Sequence, residues 1–132
     1  MKKILIVILV ICLFSGCTST KVTHEDKKQV DFTVVEKSAV PPELLKIIEE
    51  KKADEFTMSY TLDGYLYIAV GYGAKSTGGY SIQVEELYET KSNLGINTTL
   101  VGPKSGEAVN KMATYPFIVV KTEYIDKNIV FE

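Results

Sequence analysis

The sequence predicts an α+β domain: a mainly antiparallel β-sheet of about seven strands with one covering α-helix at residues 42–52. Three observations carry this. After Asp54 the apolar residues recur with period two almost to the end of the chain, which is the signature of half-buried strands. One stretch alone, "PPELLKIIEEKK" at 41–52, carries the helical period. Short turn signals, above all Asp63-Gly64, separate the alternating runs, and tight turns make neighbouring strands antiparallel.

The first element is a strand. "VDFTVVEK", 30–37, sets Val30, Phe32 and Val34 on one face and Asp31, Thr33 and Val35 on the other. In the helix, Pro42 suits the first turn, where its missing N–H costs nothing. Glu43 lies near the positive end of the helix dipole, and Lys51 and Lys52 lie near the negative end. Leu44, Leu45, Ile47 and Ile48 form one apolar stripe to lay on a sheet. "FTMSYTL", 56–62, turns at Asp63-Gly64 into "YLYIAVGY", 65–72, a pair suited to a two-residue type I′ hairpin. "GYSIQVEELYE", 79–89, alternates Tyr80, Ile82 and Val84 with Ser81, Gln83 and Glu85. "TKSN" then reads as a tight loop into "LGINTTLV", 94–101, with Leu94, Ile96, Thr98 and Leu100 on one side. "GPKSGEAVNKMAT", 102–114, is a longer connection with room for a short helical turn. "PFIVVK", 116–121, is apolar on both faces and therefore central. "NIVF", 128–131, is the last strand.

Ahead of this domain the composition changes. Lys2 and Lys3 precede an unbroken apolar run, Ile4 to Phe14. The run is too short to span a bilayer, which takes about 20 residues, and has the length of a signal-peptide core. "LFSGC" comes next, with Ser15 and Gly16 just before Cys17. This resembles the bacterial lipoprotein signal, in which the cysteine is lipidated and becomes the first mature residue. The expected organisation is therefore a signal peptide at 1–16, a lipidated Cys17 with a polar tether at 17–29, and a single globular domain at 30–132. A tether of this length, if flexible, spans about 20 Å. The protein is expected at the outer face of a bacterial cell membrane, held there by its lipid anchor.

Composition narrows the function. The chain has 15 lysines, no arginine and 17 acidic residues, for a net charge of −2. Residues 1–16 contain two of the lysines and none of the acids, so their removal takes the charge to −4. An acidic chain without arginine offers neither a nucleic-acid surface nor the bidentate phosphate clamp that arginine supplies. Of the two cysteines, Cys12 leaves with the signal and Cys17 is blocked by its lipid. The one histidine, His24, sits in the tether. Cys-His and Ser-His-Asp chemistry therefore has no residues to use inside the domain, and His/Cys zinc ligation has none either. Adjacent Lys-Ser pairs, Lys75-Ser76 and Lys104-Ser105, sit on loops, where a lysine of lowered pKa is seldom built. Glu85, Glu86 and Glu89 read as solvated charge.

The stretch "GYGAKSTGGYSI", 71–82, raises the question of a phosphate cradle. A P-loop needs glycine before its lysine and a helix after it. Here Ala74 precedes Lys75, and a strand comes after Gly79, so no helix N-terminus faces a phosphate. The segment reads as a glycine-rich hairpin loop, with Gly78 and Gly79 supplying positive φ or a bulge ahead of Tyr80. No nucleotide and no cofactor is expected.

The same residues carry a resemblance. Thr77-Gly78-Gly79-Tyr80 leading into an alternating strand, then Gly102-Pro103, then Tyr115-Pro116 leading into an apolar strand, resembles the PrcB C-terminal domain family across about residues 56–122. The resemblance implies a small non-catalytic accessory lipoprotein linked to the assembly or activity of a secreted protease. It supplies no catalytic residue.

Two function classes remain. One is a non-enzymatic accessory or assembly protein that binds a protein partner, such as a secreted protease. The other is a binding module for a small envelope ligand, such as a glycan, a peptide or a peptidoglycan fragment. Eight tyrosines and no tryptophan supply the aromatic residues. Tyr65 and Tyr67 share one face of their strand, where they either fill a core under the helix or line a partner-binding surface. A flat apolar patch or an exposed sheet edge favours a protein partner, and a concave tyrosine-lined pocket favours a small ligand. Lys75→Ala is expected to shift stability by under about 0.5 kcal/mol. Calorimetric titration of the full chain with ATP is expected to show no saturable binding.

Overall fold

Turn chemistry decides the first pairing. The computed structural model describes residues 26–132. Asp63 and Gly64 both have positive φ, 52° and 80°, as a type I′ turn requires. The turn joins β3 (Glu55–Leu62) to β4 (Tyr65–Tyr72) with Leu62 opposite Tyr65, and the register then runs unbroken to Glu55 opposite Tyr72. Before them come two short strands, β1 (Lys28–Gln29) and β2 (Thr33–Val34), a 3-10 turn at Lys37–Ala39, and helix α1 (Pro42–Lys51). After them come β5 (Ser81–Glu89), β6 (Asn93–Val101), β7 (Phe117–Glu123) and β8 (Asn128–Phe131).

The strands divide into two four-stranded sheets, ordered β1-β5-β6-β8 and β2-β7-β4-β3. Among the described residues, mainly antiparallel strands with a single α-helix make this an α+β fold, as expected from sequence. All pairings are antiparallel except β6–β8, which is parallel. Alternation along the chain suggested one sheet, and the pairing makes two. The consequence falls on the segment 73–80. That segment is no hairpin loop: β4 and β5 lie in different sheets, and it carries the chain from one to the other. Its hydrogen bonds run to the other long connection, with Lys75 and Thr114 exchanging backbone bonds of 2.8 and 2.9 Å. Residues 102–116 contain a turn at Ser105-Gly106 and the bridge at Thr114, but no helix. Lys28 and Gln29, tether by composition, pair with Glu89 and Tyr88 and belong to the fold. The signal segment, Cys12, Cys17 and His24 lie outside the described residues.

Three layers result: α1, the β2-β7-β4-β3 sheet, and the β1-β5-β6-β8 sheet. Leu44 and Ile48 of α1 pack with Val40, Tyr67, Ala69 and Val119 on one face of the middle layer. Leu66, Ile68 and Val120 pack from its other face onto Leu87, Leu94 and Ile96. The helix begins with Pro42 and Glu43 and ends with Lys51, as its dipole favours. Outside it, Lys52 and Lys37 reach Glu49 at 2.6 and 3.2 Å and hold its carboxyl below the ordinary range, the hydrogen bond from Lys52 being the larger cause.

β5 departs from simple alternation. A bulge between Val84 and Glu86 inserts one residue. Without it, Leu87 would share the outward face of Ser81 and Gln83. With it, Leu87 enters the core and Tyr88 turns to the outer face. There the Tyr88 ring covers Gly95, the hydroxyl donates to Glu132, and Lys27 Nζ sits 4.2 Å from the ring centroid. The Glu132 carboxylate raises the phenol pKa of Tyr88, and Glu86 raises that of Lys27. Glu86 and Glu89 are ion-paired, Glu86 with Lys27 at 3.1 Å and Glu89 with Lys127 at 3.1 Å.

Ile68 is fully buried between the sheets. Ile68→Ala should cost about 2–5 kcal/mol, whereas Thr61→Ala, on the exposed edge, should cost under about 0.5 kcal/mol. Urea unfolding of both variants measures the difference.

Candidate binding cleft and free sheet edge

The two sheets do not close on one side. The side where β1 and β2 lie is bridged by the chain between them. On the other side the outermost strands are β3 in one sheet and β8 in the other. Between them is a cleft of about 450 Å³, lined by Phe56, Val70, Ile96 and Phe131, with Glu55, Thr57 and Glu132 at its mouth. On its wall, the hydroxyls of Tyr72 and Thr98 share a 2.6 Å hydrogen bond that ties β4 to β6 across the sheets. β8 has four residues and β3 has eight. Thr57, Ser59 and Thr61 face the second sheet's side, and all three are exposed.

The outer edge of β3 is free. The pair flanking a two-residue turn, Leu62 with Tyr65, exchanges both hydrogen bonds. Tyr60, Met58 and Phe56 then bond to β4 in turn. The alternate residues Thr57, Ser59 and Thr61 direct N–H and C=O away from the sheet, where no other strand lies among the described residues. Proteins usually guard such edges with lysine, proline, a bulge or a short strand. β3 has none of these. From Asp54 to Asp63 it carries three carboxylates, Asp54, Glu55 and Asp63, and no lysine.

The residues singled out from sequence fall into separate places. Tyr67 is buried under α1, its ring centroid 6.5 Å from that of Tyr60. Tyr60 in turn donates to Glu43 of the helix at 2.9 Å, and this carboxylate raises the phenol pKa. Tyr65, on the same strand face, lies beyond the helix and is 42% exposed. Lys121 Nζ stands 4.1 Å from its ring centroid and 5.7 Å from that of Tyr67, so cation–π contact already occupies this face.

The glycine-rich segment is a joint between the two long connections. Gly78 N–H donates to Asn110 at 2.8 Å, and Thr114 Oγ1 donates to the Thr77 carbonyl at 2.7 Å. Of the two adjacent glycines only Gly79 has positive φ, 88°. A Cβ there would lie 2.9 Å from Val109 and 3.0 Å from Pro103, whereas one at Gly78 would meet nothing nearer than 3.7 Å. Tyr80 lies against Gly102, whose added Cβ would sit 3.2 Å from its ring. So the Gly-Gly-Tyr and Gly-Pro pairs, far apart in sequence, touch in the fold.

The family model described as PrcB C-terminal matches residues 66–123. These residues belong to the PrcB C-terminal family. The match runs from the second residue of β4 to the last of β7. The PrcB C-terminal stretch thus supplies most of both sheets and the joined connections, while α1, β3 and β8 lie outside it. No curated protein and no solved structure matches the chain.

The cleft and the β3 edge had only partial sequence signals. "EFTMSYTL" shows its lack of lysine and proline, but whether it is an edge depends on the strand order. Gly79→Val should destabilise by about 1–3 kcal/mol through its positive φ. Gly78→Val should cost clearly less. Thermal melts of the two variants compare them directly.

Proposed function

We propose that this chain is a lipid-anchored, extracytoplasmic, non-enzymatic accessory protein that binds a protein partner, a secreted or surface protease in the setting its family suggests. The observation that carries the reading is the PrcB C-terminal match across β4 to β7. The free β3 edge supports it, because an unguarded edge offers main-chain hydrogen bonds to another polypeptide. The "LFSGC" sequence supports the anchor at Cys17. The ion pairs of Glu86 and Glu89 give the carboxylate cluster a structural role.

A second reading has one specific observation in its favour. The cleft between β3 and β8 has the volume of a small-ligand site, with apolar walls and two hydroxyls. An envelope peptide or glycan fragment is the ligand that reading implies.

Cys17→Ser is expected to release the protein from membranes into the soluble fraction, with diacyl or triacyl chains found by mass spectrometry on the wild type alone. Affinity capture of the full chain from its own cells is expected to bring down a secreted protease. Retention of the Cys17→Ser protein in membranes would overturn the anchor. Capture without any protease, together with saturable binding of a peptidoglycan fragment, would replace the accessory reading with the second one.

A further inference from the structure

We infer that the free edge of β3 is a β-augmentation site for an extended, lysine-bearing segment of a protein partner. This rests on the accessory reading for the partner's identity, but not for the chemistry. An added antiparallel strand would bond to the outward N–H and C=O groups of Thr57, Ser59 and Thr61. Its side chains would alternate as those of β3 do. One row would lie beside Phe56, Met58, Tyr60 and Leu62, which are apolar and partly buried at all positions but the last. The other row would lie beside Glu55, Thr57, Ser59 and Thr61 and reach over the cleft towards Phe131.

Charge selects the occupant. The first end of β3 carries Asp54 and Glu55, and the other ends at Asp63. No lysine lines the cleft, and the Glu132 carboxylate is already engaged by the Tyr88 hydroxyl. A basic residue opposite each end satisfies these charges, and opposite-charge pairs across strands are stabilising. A second copy of the chain fits worse. Outward-facing residues must pair with one another, so two β3 edges would meet about Ser59 with Thr57 against Thr61. That register brings Glu55 of each copy to the Asp63 end of the other, and like charges directly across strands are destabilising. β-Branched residues between the basic ends suit the strand itself.

The test uses the full chain in detergent and a synthetic peptide matching the nine positions from Glu55 to Asp63. The peptide has lysine at both ends, with four valines alternating with three threonines between them. A control peptide has glutamate at both ends. The lysine peptide is expected to bind saturably and to slow amide exchange at Thr57, Ser59 and Thr61. The glutamate peptide should bind roughly tenfold more weakly, since two attractive cross-strand pairs become repulsive. Ser59→Pro removes an outward N–H and none of the bonds to β4, so it should keep the native circular dichroism spectrum and abolish binding. Glu55→Lys, at an exposed position, should reverse or erase the preference between the two peptides, and serves if Ser59→Pro does not fold. The inference is overturned by any of three results: no saturable binding of the lysine peptide, equal binding of both peptides, or exchange protection on β8 instead of β3. A concentration-dependent dimer that Ser59→Pro dissolves would also overturn it, by making a second copy the occupant. Failure of the accessory reading shows differently, as peptide binding on β3 with no protease captured from cells.

Discussion

The architecture depends on β4 being buried on both faces. Leu66, Tyr67, Ile68, Ala69 and Val70 are consecutive and all buried. A strand of this kind cannot face water on either side, so it requires two covers. Tyr67 and Ala69 are covered by α1, and Leu66 and Ile68 by the second sheet. β7 shares the constraint through Val119 and Val120, one on each face. The three layers are the smallest arrangement that satisfies both strands. The family match begins at Leu66 and ends at Glu123, and so contains both doubly buried strands and the second sheet's central pair.

Much of this was legible locally. Asp63-Gly64 specified a turn whose φ values only a few residue types adopt, and the turn fixed the register of eight cross-strand pairs. The helix declared itself through Pro42, Glu43, Lys51 and one apolar stripe. "PFIVVK" declared a central strand by being apolar on both faces. Three features could not be read, each because its cause is non-local. The division into two sheets depends on which strands pair, and alternation reports a face without naming the neighbour. The bulge at Glu85 changes parity in mid-strand, and the sequence around it keeps a plausible alternation either way. Tyr67 and Tyr65 have the same parity and similar neighbours, yet one is core and the other exposed, because α1 is only ten residues long and covers one and not the other.

The glycine-rich segment shows the same division between local and distant causes. Its failure as a phosphate cradle was decided by the strand that begins just after Gly79. Its actual role was decided by Pro103, Val109 and Asn110, far along the chain, of which Pro103 and Val109 leave no room for a side chain at Gly79. A loop whose backbone bonds are spent on another loop, as at Lys75–Thr114 and Gly78–Asn110, has few left for a ligand. The outward backbone groups of β3 differ, because no strand lies beside them among the described residues.

The β3 side is also the flank opposite the start of the described chain. The strand orders β1-β5-β6-β8 and β2-β7-β4-β3 put the first strands of the described chain at one flank and β3 with β8 at the other. Three strand spacings of roughly 4.8 Å separate the two flanks within each sheet. The edges on the entry flank are two residues long, and β1 carries Lys28 with Lys27 just before it, so they are short and guarded. The far edge is long, acidic and bare. If the chain is anchored ahead of β1, a strand added to β3 extends the sheet away from the anchor, and partner binding does not compete with the tether for space. Short, lysine-bearing edges on one flank and a long, bare edge on the other leave β3 as the edge of these sheets most open to another strand.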